Sequence, residues 1–533
     1  MNNKDKLINK EKLIYFSKFV FIILFLLTIF KIDYRFIETI KCCSDDFDYF
    51  MHASTIALDF DLDYSNQFDG QVSYNKYGKQ TPVGFIGAGI LSSPFLFLGN
   101  LLSNMITEDT NVVMGYDIFL YSISSLIYFF TAYVLLYKII KLYKIEVKKV
   151  SLFIIFLGSG VPYFAFERYS MTHVYEVFNF VLLFYLLSLY YFSEKDSIKS
   201  ILISFFIPVV FLITYLTRMS NFYIILIPLI VREVFFSSTG NVPKKIINNK
   251  YFLLSASGVF MYYLYLSNRL YGKFIYNPQD IYITTEIDIN NLIVGKNILD
   301  IAIDFINSIF IILFSFEFGL IWTSPILFYG ILLANYLLIK RRDKLSIANL
   351  ICFIFCIGVV HVWQSTASSY GYRYLYSLIP LATIFFYLFN ENKYIYRLII
   401  FMSIFSIICF LFFESHPLTQ LSTEYQNNSF GKNLKYAQPL YVKGVIQAIL
   451  SLNSYLIIFS TSFLGSIVFK AFLVIFGQSK FLSLLTDLGL PTSNNDFLNL
   501  INNLNQINSF KLFLIILIFT FFSRYLLIKD KRN

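Results

Sequence analysis

The stretch KCCSDDFDYFMHASTIALDFDLDYSNQF, residues 41 to 68, gathers Asp45, Asp46, Asp48, Asp59, Asp61 and Asp63 directly after the first long apolar run of the chain. Carboxylates in such numbers can do two kinds of chemistry. One takes a proton from an attacking hydroxyl, helped where partial desolvation raises a carboxyl pKa toward working pH. The other pairs carboxylates around a divalent cation, for which the DFD and DLD tripeptides offer short and common patterns. Ser44 followed by Asp45 and Asp46 reads as a helix start, a hydroxyl cap and then acids facing the positive end of the dipole. Tyr49, Ala53, Ile56, Ala57 and Phe60 recur at helical spacing, which predicts a short amphipathic helix on a membrane surface. Asp45 and Tyr49 lie one turn apart and share a face of that helix. Capping and solvation of the loop is the plain alternative to a general base, and this stretch alone weighs the two evenly.

A cationic set complements the acids. Arg168, Arg218, Arg269 and Arg373 fall at the ends of apolar runs, and Lys79 falls in the loop that carries the acids. Arginine forks pair two phosphate oxygens at once, and lysine adds a point charge. For any one of these residues, snorkelling to lipid headgroups or pairing with an aspartate is the simpler role. Five on one side of a membrane, the side that holds the aspartates, point to a phosphate site. His52, His173, His361 and His416 fall on the same side or its edge, without ligand spacing, so hydrogen bonding is expected of them and no metal set is assigned.

The elements that must position these residues are membrane helices. Of the 533 residues only 14% are charged, 20% are aromatic, and mean hydropathy is +0.63. Apolar runs of ~20 residues recur from end to end, each long enough to cross a bilayer. The sequence therefore predicts an all-α polytopic membrane protein with 11 to 13 transmembrane helices and excludes a soluble domain. The net charge of +10 is spread over short loops, a cytoplasmic mark rather than a nucleic-acid surface. The five cysteines show neither metal spacing nor a disulfide framework, and packing is expected of them. The run from Leu13 to Phe30, without a cleavage site after it, reads as an uncleaved first span.

Lysines place the N-terminus and the segment 138–149 inside, so an even number of spans separates them. The runs 13–32, 82–102 and 112–137 lie between. The middle run, with Pro82, Gly84, Gly87, Gly89, Pro94 and Gly99, is the one expected not to cross, as a bent surface or re-entrant piece. Residues 33–111 then form one large external loop with surface helices, and residues 33–81 hold nine acids against four bases. Further spans are expected near 150–166, 173–193, 200–217, 221–236, 251–267, 316–339, 345–363, 375–389 and 397–413, with 268–311 and 364–374 external. A further helix is expected near 453–477 and a last one at 511–528, after the Asn-rich polar stretch 493–508. Residues 1–413 form a first module and 414–533 a second of unassigned role.

These pieces resemble the GT-C superfamily of membrane glycosyltransferases, which includes protein O-mannosyltransferases and lipid A aminoarabinose transferases. Asp45-Asp46-Phe47-Asp48-Tyr49 is similar to the family's Asp-Glu-x-x-Tyr motif after the first span, with Asp for Glu. LDYSNQF, GVPYFAFERYSMTHVYEVF, TRMSNFYIILIPLI, FEFGLIWTSPIL and WQSTASSYGYRYLYSLIP resemble further motifs of the bacterial branch, in order from residue 45 to 380. YGKQTPVGFIGAGILSSPF is similar to the branch's Lys/His-Pro-Gly segment, which forms a surface helix. The chain departs from the pattern where Gln80 and Thr81 separate Lys79 from Pro82, where Met219 follows Arg218, and where Gln364 and Ser365 follow the tryptophan. The C-terminal 150 or so residues are not covered by the resemblance.

The resemblance implies a GT-C-like bundle that transfers a sugar from a polyprenyl-phosphate donor to an acceptor hydroxyl on the outer face of a bacterial inner membrane. It places the catalytic base on Asp45, with Asp46, Asp48 and Asp63 as supporting acids. Arg373 and Arg218 first, then Lys79, Arg168 and Arg269, are expected to hold phosphate, and Tyr49 and His173 to line the site. The acceptor would be a glycan, lipid or protein, and aromatic grooves between helices would take the polyprenyl chain. No nucleotide fingerprint is present. The competing readings are a lipid-linked glycan polymerase or ligase, which would carry its arginines in a large late loop, and a transporter or flippase. The latter would show internal repeats and mid-membrane charges.

Overall fold

The computed structural model describes residues 44–66, 74–75, 77–106, 116–194, 197–241, 246–275, 297–316, 318–363, 370–413, 415 and 440–487. The expected first span at 13–32, the last helix at 511–528, the polar stretch 493–508, Cys42, Cys43, His416, Gln364 and Ser365 lie outside the described residues. The protein is an all-α polytopic integral membrane protein. Among the described residues seven helices are long and apolar enough to cross a membrane: Ile86–Met105, Leu120–Leu142, His173–Phe192, Ile198–Thr217, Met219–Thr239, Lys344–His361 and Lys393–Leu411. The chain divides into two compact units, Thr39–Phe410 with Leu418–Gly444, and Met1–Glu38 with Leu411–Pro417 and Val445–Asn533.

The first unit opens with α1 (Ser44–Ser54), whose first turn carries Asp45 and Asp46. A π-turn over Thr55–Asp59 extends α1 and stops at Phe60, which takes the left-handed conformation at φ 59°. The expected amphipathic face is only part of what α1 buries. Tyr49, Phe50, Met51, His52 and Ala53 are all buried, and Phe60 is exposed. The cause is α2 (Ile86–Ile106), which packs directly over α1. The imidazole of His52 ties α1 to the segments that follow it and precede α2, with Nδ1 2.6 Å from the Tyr64 hydroxyl and Nε2 2.9 Å from the Gly84 carbonyl.

The run 82–102, expected as a bent surface or re-entrant piece, forms one helix, α2, with Pro94 inside it. Proline removes the donor for the carbonyl four residues earlier. The Ser93 hydroxyl donates to that carbonyl, on Ile90, at 3.0 Å, and Tyr128 donates to the next, on Leu91, at 2.8 Å. Side-chain hydroxyls thus stand in for the missing amide, as they do for prolines in membrane helices. The partner, α3 (Tyr116–Leu142), receives α2 along its N-terminal half, where Ser103 donates to Asp117 at 3.4 Å and Phe95 meets Tyr128.

Several expected spans are broken where the sequence offers Gly or Pro. The 150–166 run divides into α4 (Lys149–Leu157) and α5 (Val161–Phe166) at Gly158–Gly160, with Pro162 in the first turn of α5. Two unbroken helices follow, α6 (His173–Phe192) and α7 (Ile198–Thr217). The 221–236 run begins as a 3-10 segment, Met219–Leu226, and continues as α8 (Ile227–Thr239). After α9 (Lys250–Tyr271), the segment 268–311 expected as external contributes a helix, α10 (Ile298–Phe314), whose Asp300 accepts the Asn297 amide at 3.3 Å. Asp300 and Asp304 lie in its N-terminal half, and the rest of the helix is almost wholly apolar. The 316–339 run splits into α11 (Leu320–Thr323) and α12 (Pro325–Arg341) at Ser324. Then come α13 (Lys344–Trp363), a 3-10 turn Arg373–Leu378 leading into α14 (Ile379–Phe389), and α15 (Lys393–Leu411). Phe129, Phe156 and Phe164 are among the fully buried rings at the centre of this unit.

Leu440–Ile449 forms α16, and the second unit continues with α17 (Leu452–Thr461), α18 (Phe463–Phe476) and α19 (Gln478–Asp487). The single helix expected near 453–477 is thus two, parted at Ser462, whose hydroxyl accepts the Gly465 amide at 3.0 Å and starts the second.

Candidate active site

Helix breaks deliver the charged side chains to one place. Arg168 stands in the link between α5 and α6, Arg218 closes α7, and Arg373 opens the 3-10 turn before α14. All three pair with carboxylates from α1 or α6. The Asp45 side chain stays 49% exposed, and its Oδ2 lies 3.6 Å from Nη1 of Arg373, which is 9% exposed. Asp46, one residue on, points inward and accepts from the Arg168 guanidinium and the Ser170 hydroxyl.

Arg373 is placed by the backbone that precedes it. Gly371 has φ +64°, and a Cβ there would collide with the hydroxyl of Tyr376. Tyr376 in turn donates to the Tyr370 carbonyl at 3.0 Å, closing the loop on itself. Only glycine adopts that φ without strain, so the turn that aims Arg373 is fixed by sequence.

The third pair is fully buried. Glu176, in the first turn of α6, accepts from the Thr172 hydroxyl at 2.6 Å and from Asn221 at 3.3 Å, and pairs with Arg218 Nε at 2.9 Å. Its other neighbour is His173, at 3.4 Å from Nδ1. Arg218 also donates to Thr172 Oγ1 at 2.9 Å and comes within 3.5 Å of His173 Nε2. Glu176 stands at a helix N-terminus and Arg218 at a C-terminus, so both helix dipoles favour the pair. One aromatic ring joins this pair to the open one: Arg218 Cζ lies 4.4 Å and Arg373 Cζ 5.4 Å from the centroid of Tyr374.

Asp48 lies one turn beyond Asp45 on α1. Burial, and then the charge of Asp45, push its carboxyl up to about 7, against hydrogen bonds from the Gly84 and Val83 amides that lower it. Burial holds His52 neutral, pushing it down to about 4 against the bond to the Gly84 carbonyl. Tyr49 is buried, with its ring against Gly84.

The structure thus gathers Asp45, Asp46, Arg168, His173, Arg218 and Arg373, with Asp48 on the same helix as the two aspartates. It sets Lys79, Arg269 and Asp63 in other surroundings. Lys79 belongs to a tight loop closed by the Asn75 side chain, which accepts the Tyr77 and Lys79 amides at 2.9 and 3.1 Å and donates to the Tyr271 carbonyl. Asp63 caps its own turn, accepting from Ser65 N and Oγ at 3.0 and 2.7 Å. Arg269, exposed near the end of α9, is the cation that acts on it. The sequence reading did not single out Glu176, Tyr374, Thr172 or Asn221. Glu176 did carry a signal, as an acid inside an apolar span, where a charge demands a partner. Its partner Arg218 was singled out for phosphate and not for this acid, because the two stand on different helices.

Among the described residues no three His, Cys, Asp or Glu side chains converge as metal ligands. Asp61 and Asp63 of the DLD tripeptide are taken up by turn bonds, Asp61 accepting from Thr55 Oγ1 at 2.8 Å. An apolar groove of about 510 Å³ runs between α7, the Met219–Leu226 segment and α9, lined by Tyr215, Phe222, Ile225, Phe252, Phe260 and Tyr263 among others. Arg218 sits in the chain between two of its walls, Tyr215 and Phe222.

No family model matches the sequence, and no curated protein matches it. A solved structure of the archaeal oligosaccharyltransferase AglB from Archaeoglobus fulgidus, in complex with an inhibitory peptide and a dolichol-phosphate, is similar at 12% identity and a TM-score of 0.34. The match covers 86% of this chain and 56% of that one, so this chain spans little more than half of AglB's length. The likeness is too distant to carry any statement about the site.

Proposed function

We propose that the protein is a membrane glycosyltransferase that moves a sugar from a polyprenyl-phosphate donor to an acceptor hydroxyl at the outer face of a bacterial inner membrane. The observation that carries this reading is the open pair of Asp45 and Arg373, a half-exposed carboxylate 3.6 Å from a guanidinium that is nearly buried. Such a pair suits a displacement in which one partner takes a proton and the other meets a leaving phosphate. Asp45 accepts the acceptor's hydroxyl proton as its oxygen attacks the anomeric carbon. The bond from that carbon to the phosphate oxygen breaks in line, inverting the configuration, and the polyprenyl phosphate departs with its charge facing Arg373. A guanidinium neutralises that charge through two parallel bonds.

The other residues support this step. Arg218, already engaged by Glu176 and Thr172, adds positive potential rather than a free fork. Arg168 orients Asp46 beneath Asp45. The groove beside Arg218, walled almost wholly by apolar and aromatic side chains, receives the polyprenyl chain. Lys79 and Arg269 are left for the acceptor side or the lipid headgroups.

The donor class is tested by lipid mass spectrometry on cells with and without the gene. Loss of the protein should accumulate a polyprenyl-phosphate sugar, because its consumer is gone. Transfer by the purified protein from a nucleotide sugar with no lipid present would overturn the reading.

A further inference from the structure

We propose that Tyr374 is a positioning residue that couples buried Arg218 to Arg373 and so sets where the phosphate-facing guanidinium stands; this rests on the phosphate role proposed above for Arg373. Arg218 is fixed, with Glu176 at 2.9 Å and Thr172 at 2.9 Å. Arg373 is held far less. Its ion pair with Asp45 is long, at 3.6 Å, and that carboxylate is half-exposed. The ring of Tyr374 touches both guanidinium groups, with centroid distances of 4.4 Å to Arg218 and 5.4 Å to Arg373. The His173 ring approaches the same ring at 6.5 Å.

Two like charges brought this close repel unless something negative lies between or beside them. The face of an aromatic ring supplies that without neutralising either one. A carboxylate in its place would tie up the fork that the phosphate needs. Exposure supports a role beyond packing: in the run Tyr370–Leu378 every residue is buried except Tyr374, which is half-buried. Tyr374 and the half-exposed Asp45 both neighbour Arg373.

The test uses the full-length protein in detergent, with undecaprenyl phosphate as the probe and binding read by native mass spectrometry. Tyr374→Leu should weaken binding about tenfold, a loss typical of a desolvated cation–π contact, while Tyr374→Phe, which keeps the ring, stays within about twofold. In the double variant Tyr374→Leu/Arg373→Ala the two losses should not add, because the ring acts through Arg373. If Tyr374→Leu fails to purify, Tyr374→Gln serves the same cycle. Wild-type binding by Tyr374→Leu, or strict additivity with Arg373→Ala, overturns the positioning role while leaving the phosphate role intact. Unchanged binding by Arg373→Ala would instead overturn the reading on which the inference stands. A Tyr374→Leu protein that binds undecaprenyl phosphate normally but loses a sugar-bearing donor would reassign the ring to the sugar.

Discussion

Glutamine in place of Glu176 tests how the buried half of the site is built. Glu176 is fully buried and meets Arg218 at 2.9 Å, Thr172 at 2.6 Å and Asn221 at 3.3 Å. Glu176→Gln keeps the shape and most hydrogen bonds but leaves the Arg218 charge buried without its counter-charge. Removing one partner of a buried ion pair costs about 3–5 kcal/mol, whereas removing both together costs far less. The Asp45–Arg373 pair differs, because its acid is half-exposed and its separation is 3.6 Å. Pairs so open contribute about 1 kcal/mol or less. Thermal unfolding in detergent, followed by loss of the monodisperse size-exclusion peak, should therefore drop on the order of 5 °C or more for Glu176→Gln. Glu176→Gln/Arg218→Gln should recover part of that drop, and Asp45→Asn should stay close to wild type. A Glu176→Gln protein with wild-type Tm, or a double variant worse than the single, would refute the view that the pair is a closed structural unit.

Three further outcomes are expected. Because the Asp48 carboxyl titrates near pH 7 in the folded protein and near 4 unfolded, the stability it contributes is complete below about pH 4 and lost as pH rises through about 7. Tm should fall across pH 5 to 8.5, and Asp48→Asn should flatten that slope; the same slope in the variant would count against it. Gly371→Ala should disable donor binding by misplacing Arg373, and adding Tyr376→Phe should restore only part of it, since the collision is relieved but the left-handed φ remains; full donor binding by Gly371→Ala refutes this. Single-cysteine labelling in a background lacking the native cysteines should reach positions 45, 79 and 373 from outside and 141 and 342 from inside. Labelling of position 79 from the cytoplasmic side alone would reverse the orientation.

The helices that the apolar pattern marks with charged or polar ends were legible almost to the residue. The expected 173–193, 200–217 and 345–363 appear as His173–Phe192, Ile198–Thr217 and Lys344–Trp363. What the pattern misses is how backbone breaks are absorbed. Pro94 leaves α2 whole because the Ser93 hydroxyl reaches Ile90, whereas Gly158–Gly160 and Ser324 part helices that hydropathy joins. For the site, residue type and an expected common side of the membrane grouped Asp45, Asp46, Arg168, Arg218 and Arg373, which the structure brings together, and equally Lys79 and Arg269, which it sets elsewhere. Which acid meets which arginine was not legible, because each pair joins elements distant in sequence. Glu176 and Tyr374 take their meaning only from Arg218, and Lys79 lies in the same acidic loop as Asp45 yet is bound to the end of α9.

In the proposed reaction Asp45 takes the proton in a lipid-dependent sugar transfer. This role is tested most directly by measuring lipid-linked sugars in cells whose only copy of the protein carries Asp45→Asn, at matched membrane expression. The amide keeps the size of the side chain and its place in the first turn of α1 but cannot accept the proton, a loss of about 10²–10⁴-fold where a general base acts. A polyprenyl-phosphate sugar should build up in these cells to the level seen without the protein. A lipid profile indistinguishable from wild type would contradict it and return the acidic turn to capping and solvation.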